Sequence, residues 1–258
     1  MKDMDLVSII MPSYNCGQFV EAAISSVQAQ TYTNWEIIFM DDCSTDDTLK
    51  QVSLLRENDQ RVRLYQNVSN MGAAMSRNNA LREAKGRWIA FLDSDDLWEP
   101  TKLEKQVKFM EDNGYKFSYT CYSEMDAEGK DAGVVVSGPR HVTKAGMFAF
   151  CWPGCLTVMY DRETIGLLQI EDIKKNNDYA MWLKVCQKAD CYLLPEVLAK
   201  YRRGRVGSVS SHSIMTMIKW HYKLFRDAEK LDVMSSLWHT GINLICGFYK
   251  KMKYVKKV

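Results

Sequence analysis

Over the first hundred or so positions, short runs of apolar and β-branched residues alternate with stretches of helical periodicity. That is the pattern of a parallel sheet covered by helices on both faces. It predicts strands at 6–11, 35–40, 62–66 and 88–92, and helices at 19–30, 45–57, 73–84 and 101–112. In the first helix Phe19, Ala23 and Val27 share a face with Val20 and Ile24. Pro12 is read as the end of the first strand, and Ser44 or Thr45 as the cap of the second helix, with Asp46 and Asp47 in its first turn. Beyond Gly114 the pattern loosens into a strand at 117–122, a turn at Asp126-Ala127-Glu128-Gly129 and a strand-like Val134-Val135-Val136. A helix at 179–188, a strand at 192–194, the glycine-punctuated Gly204-Arg205-Val206-Gly207 (read as mobile) and helices at 215–231 and 234–249 complete the chain. The expected fold class is α/β: a Rossmann-like, mostly parallel central sheet with helices on both faces, plus C-terminal helices.

Composition narrows the classes. With 47% hydrophobic and 26% charged residues among 258, the chain can bury a core and is not intrinsically disordered. Its 34 basic and 32 acidic residues leave a formal charge of +2, no footprint for nucleic acid. The surplus is local, however: from Ile214 to Val258 nine Lys and Arg face three acids. There Leu237, Trp238, Ile242, Leu244, Ile245, Phe248 and Tyr249 make an apolar stretch too short to span a bilayer, followed by Lys250, Lys251, Lys253, Lys256 and Lys257. Aromatic residues beside clustered lysines suit the headgroup region of an anionic membrane. A C-terminal helix packed on the domain with a frayed basic end explains the same residues. The first residues hold no apolar run, so no secretory signal is expected. The eight cysteines, without paired zinc-ligand spacing, are accordingly expected as free thiols. The expected location is the cytoplasm, with peripheral contact at the inner face of the plasma membrane.

In an α/β sheet, ligands bind beyond the carboxyl ends of the strands. Pro12-Ser13-Tyr14-Asn15 follows the first strand, Asp41-Asp42-Cys43-Ser44 the second, and Asp93-Ser94-Asp95-Asp96 the fourth, while the third leads to Asn70-Met71-Gly72 and Arg77. Three carboxylates within four residues repel one another unless a cation or hydrogen-bond donors offset the charge. Hard oxygen ligands suit Mg²⁺ or Mn²⁺, which could bridge to a diphosphate. A solvated acidic turn with Asp96 as a cap is the plainer alternative, and Asp42 is equally a helix cap by type.

These four motifs, in this order and spacing, resemble the successive signatures of family 2 glycosyltransferases with the GT-A fold. The resemblance is close over residues 6 to about 112 and weaker to about 205. It implies a nucleotide-sugar donor, usually a UDP-sugar, and inversion at the anomeric carbon. By similarity Pro12, Tyr14 and Asp42 surround the uracil and ribose, Arg77 lies near the nucleotide, Asp93 with Ser94 faces the ribose or metal, and Asp95 ligates the metal. Asp178, in Asn176-Asn177-Asp178-Tyr179, stands where the family places its base at the start of a helix. Many relatives have Glu where this chain has Asn177, and Gly where it has Cys43, so that this turn must avoid positive φ or tolerate strain. Relatives commonly build bacterial surface polysaccharides on lipid-linked acceptors. A glycan or lipid-linked saccharide is therefore the expected acceptor. The expected organisation is a GT-A catalytic domain at 1–210, with a nucleotide-binding half at 1–112 and an acceptor-binding half at 113–210, then a basic helical extension at 211–258.

Three readings rest on residue type. Trp152, beside Pro153 and Gly154, is a candidate wall for the acceptor pocket, with plain core as its equal. Arg202, Arg203 and Arg205 are candidates for a lid over the diphosphate, or a solvated basic loop. His212 is read as incidental. Processive synthases of the family add Gln-x-x-Arg-Trp, but Arg87-Trp88 is preceded at that place by Ala84. The rivals are a phosphohydrolase of the haloacid dehalogenase type, which leaves the first two motifs unexplained, and a non-catalytic nucleotide-sugar-binding module at the membrane. Walker A and Gly-x-Gly-x-x-Gly patterns are missing.

Overall fold

A computed structural model describes residues 4–204 and 214–258. The strands are β1 (Val7–Ser13), β2 (Trp35–Asp41), β3 (Val62–Gln66), β4 (Trp88–Phe91), β5 (Leu97–Trp98), β6 (Phe117–Met125), β7 (Asp131–Val136), β8 (His141–Val142), β9 (Met159–Asp161), β10 (Cys191–Arg202) and β11 (Val255–Lys257). The α-helices are α1 (Val20–Gln28), α2 (Thr48–Asn58), α3 (Gly72–Glu83), α4 (Lys102–Asn113), α5 (Lys144–Ala149), α6 (Arg162–Ile165), α7 (Asn177–Val185), α8 (Ile214–Lys223) and α9 (Val233–Lys253).

The parallel order β3-β2-β1-β4 forms the Rossmann-like half. β1, β2 and β4 are buried along their whole length and mostly apolar because both faces are covered, while the edge strand β3 is only partly buried. Val7, Ile9 and Met11 of β1 pack with Val20, Ala23 and Val27 of α1 and Leu103, Val107 and Met110 of α4. The alternate residue Ile10 turns the other way, with Ile38 and Met40, onto Ala80 and Leu81 of α3 and Trp182 of α7. Pro12 does not end β1: the strand runs on to Ser13, with Pro12 opposite Met40. Its partnership with β4 stops at Ile10, so the missing N–H of Pro12 withdraws no bond from that ladder. The second helix starts later than its capping residues suggest, at Thr48, because Asp46 Oδ1 accepts from Thr48 N at 3.0 Å and Oδ2 from Gly17 N at 3.0 Å. A Cβ at Gly17 would meet Asp47 Oδ1 at 2.0 Å, so a larger residue there would displace the Asp47 side chain.

β9 joins this half to the rest by pairing antiparallel with both β4 and β6. The turn at 126–129 closes the β6–β7 hairpin, Gly129 N donating to Asp126 O at 3.1 Å. The short strand expected at 192–194 is the start of the 12-residue β10, which runs parallel to β6. Register shifts between Leu194 and Val197, and between Val197 and Ala199, absorb Pro195 and Glu196, whose polarity hid the strand's continuation. The helix expected at 215–231 is α8 followed by a π-helical turn at Leu224–Ala228. The C-terminal end is not frayed: Lys250 Nζ donates to Trp152 O at 2.7 Å and β11 pairs with β7. All eight cysteines are free thiols. Among the described residues, no helix is long and apolar enough to cross a membrane.

Candidate active site

The carboxyl ends of the parallel strands open into one cavity of about 770 Å³. β1 delivers Pro12, Ser13 and Tyr14, the β2 end Asp42, the start of α3 Gly72 and Arg77, and the β4 end Asp93, Ser94, Asp95 and Asp96. From the other half come Asn177 and Asp178 of α7, Arg202 and the following Arg203, and Met217, Trp220 and His221 of α8.

Asp42 is a cap, though not of the helix that follows it. Its Oδ1 accepts from Asn67 Nδ2 at 2.7 Å and Met71 N at 2.8 Å, and its Oδ2 from Gly72 N at 2.7 Å, so the carboxylate meets the positive end of α3. Its neighbour Cys43 sits at φ 62°, the left-handed region that glycine adopts freely. The turn tolerates strain rather than avoiding positive φ. Cys43 Sγ lies 3.1 Å from Asn67 O.

Fixed donors offset two of the three carboxylates after β4. Asp93 Oδ1 pairs with Arg77 Nη2 at 2.5 Å, and Arg77 Nη1 donates to Asn177 Oδ1. Asn177, at the position that departs from the family pattern, thus tethers α7 to α3. Burial opposes the charge on Arg77, but Asp93, then Cys155 and Asp178, hold its pKa above the usual guanidinium value. Asp96 is buried and accepts from Arg202 N at 2.8 Å. Burial, then Asp95 and Asp93, push its carboxyl well above the usual range. Asp95 lines the cavity beside Asp93 and Asp96. Among the described residues no group of three or more His, Cys, Asp and Glu could hold a metal by itself. Mg²⁺ and Mn²⁺ commonly take one or two carboxylates and complete their shell with phosphate oxygens and water. Asp95, with Asp93 beside it, fits that demand.

Asp178 lies in the first turn of α7, which the chain enters through Asn176 in the left-handed conformation (φ 58°). Tyr179 N donates to its Oδ1 at 2.8 Å.

Two readings are corrected. Trp152 does not line the cavity: it is buried in the core, its Nε1 donating to Gly146 O at 3.0 Å and its ring packed edge-on against Phe150 and Tyr254. Arg202 is no lid. Its Nε donates to Asp95 O at 2.8 Å, its Nη1 to Ala127 O at 2.9 Å, and the guanidinium covers the Phe19 ring, which makes it a buried strut beneath the acidic loop. Arg203 is mostly exposed and pairs with Glu124 at 2.7 Å. Arg205, His212 and the stretch Val206–Gly207 lie outside the described residues. The cavity face of α8 was missed. Met217, Trp220 and His221 stand at i, i+3 and i+4, a helical spacing visible in the sequence, but nothing there tied that face to the strand ends.

Comparison with known proteins agrees with this architecture. The family model described as Glycosyl transferase family 2 matches residues 8–134. TuaG of Bacillus subtilis, whose name places it in teichuronic acid biosynthesis, is 39% identical over 234 residues, covering 90% of this chain and 92% of its own. WfaP of Escherichia coli, named a UDP-Glc:α-D-GlcNAc-diphosphoundecaprenol β-1,3-glucosyltransferase, is 39% identical over 216 residues, 84% of each chain. Residues 1–349 of Staphylococcus aureus TarS, solved in complex with UDP-GlcNAc, superpose with a TM-score of 0.70 at 20% identity, covering 97% of this chain and 76% of that one, a likeness of fold. The phosphohydrolase and non-catalytic readings lose their support. The chain is a glycosyltransferase and belongs to glycosyl transferase family 2.

Proposed function

We propose that the protein is a non-processive, inverting glycosyltransferase that moves a sugar from a UDP-sugar to a hydroxyl of a lipid-linked saccharide, with Asp178 as base. One observation carries the reading: Pro12, Tyr14, Asp42, Asp93, Ser94 and Asp95 share a single cavity with Asp178, which comes from a distant stretch of chain. Pro12, Tyr14 and Asp42 are assigned to the uridine and Asp93 with Ser94 to the ribose, Arg77 fixing Asp93. In the reaction the acceptor oxygen forms its bond to the anomeric carbon from the face opposite the diphosphate. Its proton passes to the Asp178 carboxylate, and the electron pair of the breaking bond leaves with UDP. Asp95 and Asp93 would hold Mg²⁺ or Mn²⁺, which when bound supplies positive charge to the departing diphosphate. The polyprenol-linked acceptor named for WfaP supports the acceptor class.

The same reading puts the enzyme on the membrane's inner face. Along α9, Met234, Trp238, Ile245, Phe248 and Met252 fall on one stripe, each 68 to 73% exposed. Lys251, Lys253, Lys256 and Lys257 are exposed nearby, and each lysine near an anionic surface contributes about 1 kcal/mol.

The test is calorimetric titration of UDP with and without Mn²⁺. Metal-dependent binding to the wild type, abolished in Asp95→Ala, is expected. Binding that ignores both the metal and the substitution would remove Asp95 from its role.

A further inference from the structure

We infer that the cavity face of α8 is the acceptor-saccharide subsite, with the Trp220 ring as the surface on which a pyranose stacks and His221 as its hydrogen-bonding group. This rests on the glycosyl-transfer reading above and extends it to residues outside the family's strand-end motifs.

The packing of this segment onto the domain is done elsewhere, by Leu224, Phe225 and Ala228 of the π-helical turn, all buried. Trp220 is only half-buried and lines the same cavity as Asp178. The cavity is also lined by Tyr14, Tyr122, Tyr201 and Leu156, and Lys223 Nζ stands 5.3 Å over the Trp220 ring, but the indole is the large flat apolar surface that α8 itself brings to the cavity, of the kind the C–H face of a sugar needs. His221, next along the helix, is held close to the base. Its ring meets that of Tyr179 edge-on, centroids 6.3 Å apart, and Tyr179 directly follows Asp178. Tyr179 is itself pinned: its hydroxyl donates to Met147 O at 2.7 Å and accepts from Asn243 Nδ2 of α9 at 2.8 Å. The backbone of Met217, one turn back along α8, lies beside the His221 ring, and His221 lines the cavity. Burial lowers the pKa of His221, so the ring is neutral at physiological pH and one nitrogen can accept from a sugar hydroxyl. Lys174 and Lys175 line the same cavity, before Asp178. Their charge suits a phosphate, and with the lipid-linked acceptor class proposed above the ligand class is a saccharide carried on a diphosphate.

The probe is N-acetylglucosamine α-linked to a diphosphate bearing a short alkyl chain, its binding read by saturation-transfer NMR with UDP and Mg²⁺ present. UDP affinity is measured separately by calorimetry. Trp220→Ala should weaken probe binding by about tenfold, the scale of a lost aromatic stack, and Trp220→Phe should recover part of it, both with UDP affinity unchanged. Should the alanine variant fail to fold, His221→Gln carries the test with a loss of severalfold. Equal probe binding in the folded variants overturns the inference. So does a wild type that binds UDP but not the probe, which leaves the donor reading standing. A wild type that binds neither UDP nor the probe overturns both.

Discussion

The half of the molecule built on β1 to β4 and the half from Phe117 onward contribute to one cavity by different means. In the first, Tyr14, Asp42, Asp93 and Ser94 sit one to three positions beyond a parallel strand, and the register of the sheet places them: Ser13 lies opposite Asp41, and Ile10 opposite Phe91. In the second, Asp178 lies two positions after the left-handed Asn176, Arg202 ends a strand with two register shifts, and Trp220 stands on a helix outside the sheet. The strand-end side of the cavity is a property of the sheet. The side built from α7 and α8 is a property of tertiary packing, and it can vary without disturbing the strands.

The sharpest way to break that contrast is Asp178→Asn. It keeps the size and shape of the side chain at the start of α7, so UDP affinity and melting temperature should hold while turnover falls by about a thousandfold, within the range for loss of a general base. That loss corresponds to roughly 4 kcal/mol of transition-state stabilisation. A variant that turns over like the wild type removes Asp178 from catalysis. A variant that loses UDP binding as well shows the two halves to be one unit.

A second test probes the C-terminal face alone. Deleting the basic tail is a poor experiment, because Lys250 is bonded to Trp152 O and β11 belongs to the sheet. Trp238→Gln with Phe248→Gln instead alters two exposed rings. Sedimentation with phosphatidylglycerol vesicles should fall by roughly thirtyfold, about 2 kcal/mol for partial burial of both rings, with no change in melting temperature. Equal sedimentation of the variant and the wild type would reduce the stripe to an ordinary exposed surface.

How much of this was legible in the sequence follows from the same contrast. The parallel half was readable because β1, β2 and β4 are buried on both faces and appear as mostly apolar runs, and because polar residues then collect at one end of each. What was not readable depended on partners distant in the chain. β9 has three residues and exists only because β4 and β6 flank it. Trp152 looked like a pocket wall by type, whereas its neighbours Phe150 and Tyr254 make it core. Arg202 looked like a lid by its glycine neighbour, whereas the carbonyls of Asp95 and Ala127 fix it in place.

Cys43, like Asn15 after β1 (φ 50°), marks a place in the β1–β4 half where regularity gives way. A non-glycine residue at φ 62° costs about 1–2 kcal/mol relative to glycine there. Cys43→Gly relieves that cost but gives back about 0.5–1 kcal/mol through the greater freedom of glycine in the unfolded chain, and it loses the Sγ contact to Asn67 O. The expected net gain is about 0.5 kcal/mol, a rise in melting temperature of roughly 1–2 °C for a chain of this size. Cys43→Ala is the necessary control, since it removes the sulfur and keeps the strain, and it should melt at or below the wild type. If the alanine variant gains as much as the glycine one, the sulfur and not the backbone is the source of instability, and the turn after β2 is as relaxed as the strands that lead to it.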